Sequence, residues 1–123
     1  MEPTTILLVD NDLSTQNVLY RLLEDAGYTV LAAGNGVEAL DICRQCRRPI
    51  TLLLTDVTMP GMSGVELANR ALPLQPLMRV LIMSGDAANC APLPDGAAGG
   101  WMFLMKPFDQ AALMRTVRLA LAC

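Results

Sequence analysis

Apolar residues gather in five short runs along this chain, and each run leads into a polar or turn-forming tip. Thr5-Ile6-Leu7-Leu8-Val9 meets Asp10-Asn11-Asp12, and Tyr28 to Ala33 meets Gly34-Asn35. Leu52-Leu53-Leu54 runs on to Asp56. Arg79-Val80-Leu81-Ile82-Met83 is tipped by Ser84-Gly85, and Trp101 to Met105 by Lys106-Pro107. Runs that are apolar on both faces suit parallel strands covered by helices on each side. Between them the spacing changes. Val18, Leu19, Leu22, Leu23 and Ala26 recur at helical intervals from Ser14 onward, and Gly27 closes that helix. Asn35 and Glu38 start a second helix, which runs to about Arg47 and stops before Pro49.

After Asp56, Met59-Pro60-Gly61 turns the chain, because Pro fixes φ and Gly accepts left-handed geometry. Ser63 and Glu66 form an S-x-x-E capping box for a third helix ending near Leu72-Pro73. Asp109 caps a last helix carrying Leu113, Val117 and Leu121 on one face. The segment Asp86 to Gly100 differs. It holds Pro92, Pro94, Gly96, Gly99 and Gly100, which limit any fourth helix to little more than a turn or two. This alternation predicts an α/β sandwich around a parallel sheet. Right-handed crossovers then bring every tip to one edge of the sheet, the edge at which such sheets bind ligands.

Composition narrows the function. The 123 residues suffice for one domain with a real core, 1–123, and 53% of them are hydrophobic against 17% charged. A net charge of −3 argues against direct capture of nucleic acid. The chain has no histidine, which removes the usual general base and any Ser-His or Cys-His pair. No run approaches the roughly 18 apolar residues of a membrane span, so no membrane insertion and a cytoplasmic location are expected. Cys43 and Cys46 form a lone C-x-x-C within the second helix, and free thiols are expected rather than a zinc site.

The tips carry the candidate chemistry: Asp10, Asn11 and Asp12 after the first strand, Asp56 after the third, Ser84 after the fourth, Lys106 after the fifth. Taken alone, Asp56 reads equally well as a solvated loop acid. Clustered oxygen ligands without histidine or thiolate favour a hard cation, Mg²⁺. A hydroxyl and an ammonium beside them can hold phosphoryl oxygens. Phosphoryl transfer needs mainly positioning and charge neutralisation, with an aspartate able to act as covalent acceptor.

Over nearly its whole length the chain resembles the receiver domain of two-component response regulators. ILLVDND, TDVTMPGMSGVEL, VLIMSG and FLMKPF carry the resemblance, and the run from DVTMPGMSGVEL through MSG is similar to receivers attached to hybrid sensor kinases. The resemblance implies a flavodoxin-like (βα)5 three-layer sandwich of strand order 2-1-3-4-5, its fourth helix short or degraded. It implies that Asp56 accepts a phosphoryl group from a histidine kinase or histidine phosphotransfer protein, that Asp10 and the Thr58 backbone carbonyl hold Mg²⁺, and that Lys106 pairs with the phosphoryl group. Ser84 and Phe103 would form a switch read by a downstream protein. Such a domain catalyses only its own phosphorylation and dephosphorylation.

One position departs from the family pattern. The second acid after the first strand, commonly a direct metal ligand, is Asn11 here, and weaker metal binding is the expected consequence unless Asp12 substitutes. The alternative reading is a degenerate receiver that acts as a phosphorylation-independent interaction module. An aspartyl-phosphate phosphatase would want a second positioned acid near the nucleophile, and Val57 and Thr58 follow Asp56. A nucleotide binder would want a glycine-rich phosphate loop, and no such motif is present.

Overall fold

The computed structural model describes residues 4–85 and 101–122. Five strands alternate with four helices over that part: β1 (Thr5–Val9), α1 (Leu13–Asp25), β2 (Thr29–Ala33), α2 (Gly36–Gln45), β3 (Leu52–Asp56), α3 (Gly64–Ala71), β4 (Arg79–Ser84), β5 (Trp101–Met105) and α4 (Gln110–Ala122). The short fourth helix expected within Asp86 to Gly100 falls outside the described residues.

The strands form one sheet of order β2-β1-β3-β4-β5, and every neighbouring pair is parallel. Side chains alternate across a strand, and the apolar runs feed two cores accordingly. Leu7, Val9, Leu53, Val80 and Ile82 face α2 and α3, meeting Ala39, Leu40, Leu67 and Ala71. Ile6, Leu8, Leu54, Leu81 and Met83 face the other way, meeting Leu19 and Leu23 of α1 and Leu113 and Val117 of α4. Both faces of the sheet are therefore covered, which is why its strands read as continuous apolar runs.

The helices begin where capping side chains satisfy their first amides. Asn35 accepts from the Glu38 N–H (2.9 Å), Ser63 from that of Glu66 (3.1 Å), and Asp109 from that of Ala112 (2.7 Å). The second helix stops earlier than its pattern suggests, at Gln45, with Cys46 already extended (ψ 121°). The reason lies in the connection between α3 and β4. Ile50 is fully buried, its N–H donates to Gln75 Oε1 (3.1 Å), and the other end of that amide holds the Cys43 carbonyl (3.2 Å). The chain leaves the helix in time to deliver Ile50 to this anchor. Cys43 and Cys46 are free thiols, and burial pushes the Cys43 thiol pKa up.

The periodicity also placed Val18 with the core, yet it is 58% exposed. Leu19 and Leu23 supply the buried stripe of α1, and Leu19 lies one helical step (about 100°) around the axis from Val18.

Because β3 is the central strand and Leu54 is wholly buried in it, Leu54→Ala should cost about 3 kcal/mol through lost transfer energy and a cavity that close packing cannot collapse. The denaturation midpoint should fall without a change in the slope of the transition, measured in urea.

Candidate functional site

Parallel topology gathers the polar tips at one edge, as their spacing demanded. Asp10 follows the last residue of β1, Asp56 ends β3, Ser84 ends β4, and Lys106 follows β5. The Lys106 ammonium donates to Asp56 Oδ2 (3.0 Å) and stands 3.7 Å from Asp10 Oδ2. Two carboxylates and one cation thus meet at the same edge of the sheet, with Asp10 fully buried and the Asp56 side chain 15% exposed. Asp56 is the more open acid, the one an incoming group can reach.

Each carboxylate is oriented by its own loop. The Thr58 N–H donates to Asp56 Oδ1 (3.1 Å), and the Asp12 N–H donates to Asp10 Oδ1 (2.9 Å). Asp10 Oδ2 is buried with no hydrogen-bond donor. Burial raises the pKa of Asp10, and the Asp56 charge adds to this. The Asp12 N–H and the Lys106 ammonium oppose it. A raised carboxylate pKa means the ionised form is costly in the fold. A cation at Asp10 Oδ2 would relieve that cost, so the donor set fits a hard divalent ion.

The loop after β3 turns at Gly61 as its sequence predicts, and it is held down by residues whose role the motif did not announce. Met59 and Met62 are buried, Gly61 takes φ +83°, and the Val57 N–H donates to the Met83 carbonyl (2.8 Å). Gly64 opens α3 in direct contact with the β3 tip: a Cβ there would overlap the Asp56 carbonyl oxygen. Glycine is what lets the helix start against the strand end that carries Asp56. The apolar residues Val57, Met59 and Met62 within the loop were the available sequence signal for this anchoring.

The Asp10-Asn11-Asp12 run divides its labour. Asp12 caps α1: its carboxylate accepts from the Ser14 N–H (3.1 Å) and the Thr15 hydroxyl (2.8 Å), and these bonds lower its pKa. Its carboxylate is therefore engaged at the start of α1. Asn11 is exposed and borders a depression of about 740 Å³ with Val37, Glu38, Pro60 and Met62. Among the described residues, no three His, Cys, Asp or Glu side chains gather as a metal-binding group.

Ser84 is buried, and its carbonyl accepts from the Lys106 N–H (2.7 Å). Ser84 pairs with Met105, while Phe103 pairs with Ile82. Phe103 thus sits in the middle of β5 rather than at its tip, on the same face as Ser84 and half-buried against the α2/α3 core. On the opposite side of the site, an apolar groove of about 430 Å³ runs between α1 and the start of α4, lined by Thr15, Val18, Leu22, Lys106, Pro107 and Phe108 among others.

Residues 6–118 match the family described as Response regulator receiver domain. The chain is 36% identical over 112 residues to the response regulator receiver protein CpdR of Brucella abortus (strain 2308), spanning 91% of this chain and 92% of that protein. It is 35% identical over 116 residues to the sensor kinase CckA of the same organism, covering 93% of this chain but only 12% of the kinase. The solved receiver domain of hybrid histidine kinase CckA superposes with a TM-score of 0.81 at 34% identity, over 95% of this chain and 98% of that one. Among the described residues no helix is long and apolar enough to cross a membrane.

The cap assignment of Asp12 has a pH signature. A carboxylate whose folded pKa is depressed stabilises the fold above its unfolded value, 3.8, and loses that contribution as pH falls through the folded pKa. Asp12→Ala should lower Tm at neutral pH, and the deficit against wild type should shrink below about pH 4 as the wild-type carboxylate takes up its proton. Asp12→Asn, which keeps a capping oxygen, should lose less. Calorimetric melting across the pH series tests this.

Proposed function

The chain belongs to the response regulator receiver domain family of two-component systems, and we propose that it accepts a phosphoryl group from a phosphohistidine onto Asp56 in the presence of Mg²⁺. The observation that carries this reading is the buried, donor-less Asp10 Oδ2 beside an Asp56 whose carboxylate is gripped by Lys106. Such an edge is one positive charge short of balance, and a phosphoryl group arriving with a divalent cation supplies it.

In the proposed transfer an Asp56 carboxylate oxygen attacks phosphorus. The new P–O bond forms as the P–N bond to the donor imidazole breaks, and the electron pair leaves with the imidazole nitrogen. Asp10, Asp56, the Asn11 side-chain oxygen and the Thr58 carbonyl would hold Mg²⁺, which supplies charge neutralisation at the phosphoryl oxygens. Lys106, already bonded to Asp56, is placed to follow the charge as it moves onto phosphorus. The Thr58 N–H keeps the acceptor carboxylate aimed out of the sheet edge. The apolar groove beside Lys106, with Val18 exposed in it, is the surface we assign to the donor, a histidine kinase or a histidine phosphotransfer protein. Ser84 and Phe103 share one sheet face on adjacent strands, and that arrangement supports a switch in which Ser84 moves toward the phosphoryl group and Phe103 repacks. A downstream protein would read the change. The chain spans 12% of the kinase CckA, and a place as one segment of a hybrid kinase suits it as well as a free-standing receiver does.

Incubation with a small phosphodonor and Mg²⁺ should add one phosphoryl group, and Asp56→Asn should abolish the addition by intact-protein mass spectrometry. Lys106→Ala should fold and slow labelling on the order of a hundredfold, the scale for losing one preorganised charge. Equal labelling of wild type and Asp56→Asn would refute the assignment. No labelling of wild type at saturating Mg²⁺ would favour the phosphorylation-independent module.

Asn11 allows a quantitative check. Unit charges about 4 Å apart interact by about 4 kcal/mol at an effective dielectric of about 20. A carboxylate at position 11 would gain that attraction to Mg²⁺ but lose much of it to repulsion from Asp10 and Asp56. Asn11→Asp should therefore tighten Mg²⁺ by about tenfold, a net gain near 1.4 kcal/mol. Titration calorimetry on the unphosphorylated protein measures it, and unchanged affinity would remove Asn11 from the ligand set.

A further inference from the structure

We infer that Gln16 is a positioning residue for the phosphoryl-acceptor edge: its side-chain amide ties the end of β1 to the end of β2 and so sets the Asp10 carboxylate. The inference rests on the reading of Asp10 as an Mg²⁺ ligand. Gln16 lies in the first turns of α1 and is half-buried. Its Nε2 donates one hydrogen to the Asp10 carbonyl (3.1 Å) and one to the Ala33 carbonyl (2.8 Å). Both donors of the amide are thereby used. The Ala33 carbonyl also accepts from the Asp10 N–H (3.2 Å), filling its two lone pairs.

Asp10 is consequently fixed at every polar atom but one. Its N–H is held by Ala33, its carbonyl by Gln16, and its Oδ1 by the Asp12 N–H. The Asp12 carbonyl in turn accepts from the Gln16 N–H (2.9 Å). Residues 10–16 thus close a ring of hydrogen bonds in which the helix that Asp12 caps carries the amide that returns to Asp10. Oδ2 alone is left over, aimed at the Lys106 ammonium. A ligand held this way binds metal without first losing conformational freedom, which is the contribution outer-shell partners make to metal affinity.

A matched control exists in the same molecule. Gln75 makes an equivalent strap at the far end of the sheet, donating to the Cys43 carbonyl and accepting from the Ile50 N–H. Removing it also sacrifices two side-chain-to-backbone hydrogen bonds, one donated and one accepted, far from the acidic edge. Methionine matches glutamine in length, suits a helix and offers no donor. Gln16→Met and Gln75→Met are both neutral changes that leave the long-range field of the site alone.

The test compares wild type, Gln16→Met and Gln75→Met by thermal unfolding and by calorimetric Mg²⁺ titration of the unphosphorylated protein. Both variants should lose a similar few degrees in Tm. Gln16→Met should weaken Mg²⁺ on the order of tenfold, the low end for outer-shell partners of metal ligands, while Gln75→Met should leave it unchanged. Phosphodonor labelling by Gln16→Met should then need correspondingly more Mg²⁺ and approach the wild-type rate at saturation. Wild-type Mg²⁺ affinity in Gln16→Met would overturn the positioning role and leave the acceptor site standing. Absence of Mg²⁺ binding by wild type would overturn both. Should Gln16→Met not fold, Gln16→Ala repeats the measurement. Failure of both while Gln75→Met folds would show the strap holds the fold rather than the ligand, and would also overturn the inference.

Discussion

Asp10 follows β1 and Asp56 ends β3, and because these strands are parallel neighbours their carboxylates are forced to share one end of the sheet. Two like charges there would oppose folding if nothing stood between them. Lys106, delivered by the edge strand β5, reaches back to bond Asp56 and face Asp10. Attraction between unit charges at that range is worth about 4 kcal/mol at an effective dielectric of about 20. It outweighs the repulsion from Asp56 at Asp10, yet burial still leaves the Asp10 pKa raised. The edge is thus stable but incompletely neutralised.

That edge is affordable only because the remainder of the sheet is so apolar. Ile6, Leu7, Leu8, Leu52, Leu53, Leu54, Leu81, Ile82 and Met83 are all fully buried, and each contributes about 1.5–3 kcal/mol by leaving water. The helices on both faces do more than cover them. Gly64 lets α3 begin against the Asp56 carbonyl, and Met59 and Met62 pin the intervening loop into the α2/α3 core. Core packing and site geometry are consequently one problem: the residues that hold the loop down also fix where Asp56 points.

Much of this was legible in the chain itself. Five apolar runs with polar tips defined the strands, and S-x-x-E and N-x-x-E patterns located two helix starts at Ser63 and Asn35 where the capping bonds are found. Parallel alternation alone then placed Asp10, Asp56, Ser84 and Lys106 on a common edge. These features are local, or follow from chain chirality, so a few neighbouring residues suffice to specify them.

The sequence could not say which members of Asp10-Asn11-Asp12 turn toward the site. Asp12 became a cap because α1 starts at Leu13 and leaves the Ser14 amide needing an acceptor. Val18 had the spacing of a core residue but points into the groove beside Lys106. Gln16 and Gln75 look like ordinary polar positions, yet they tie elements separated by 17 and 32 residues. Hydrogen bonds of that reach depend on how finished elements are set against one another. Local propensity and periodicity determined the strands, the caps and the acidic edge; only tertiary assembly brought Lys106 against the two carboxylates, because it lies 50 residues from Asp56 along the chain.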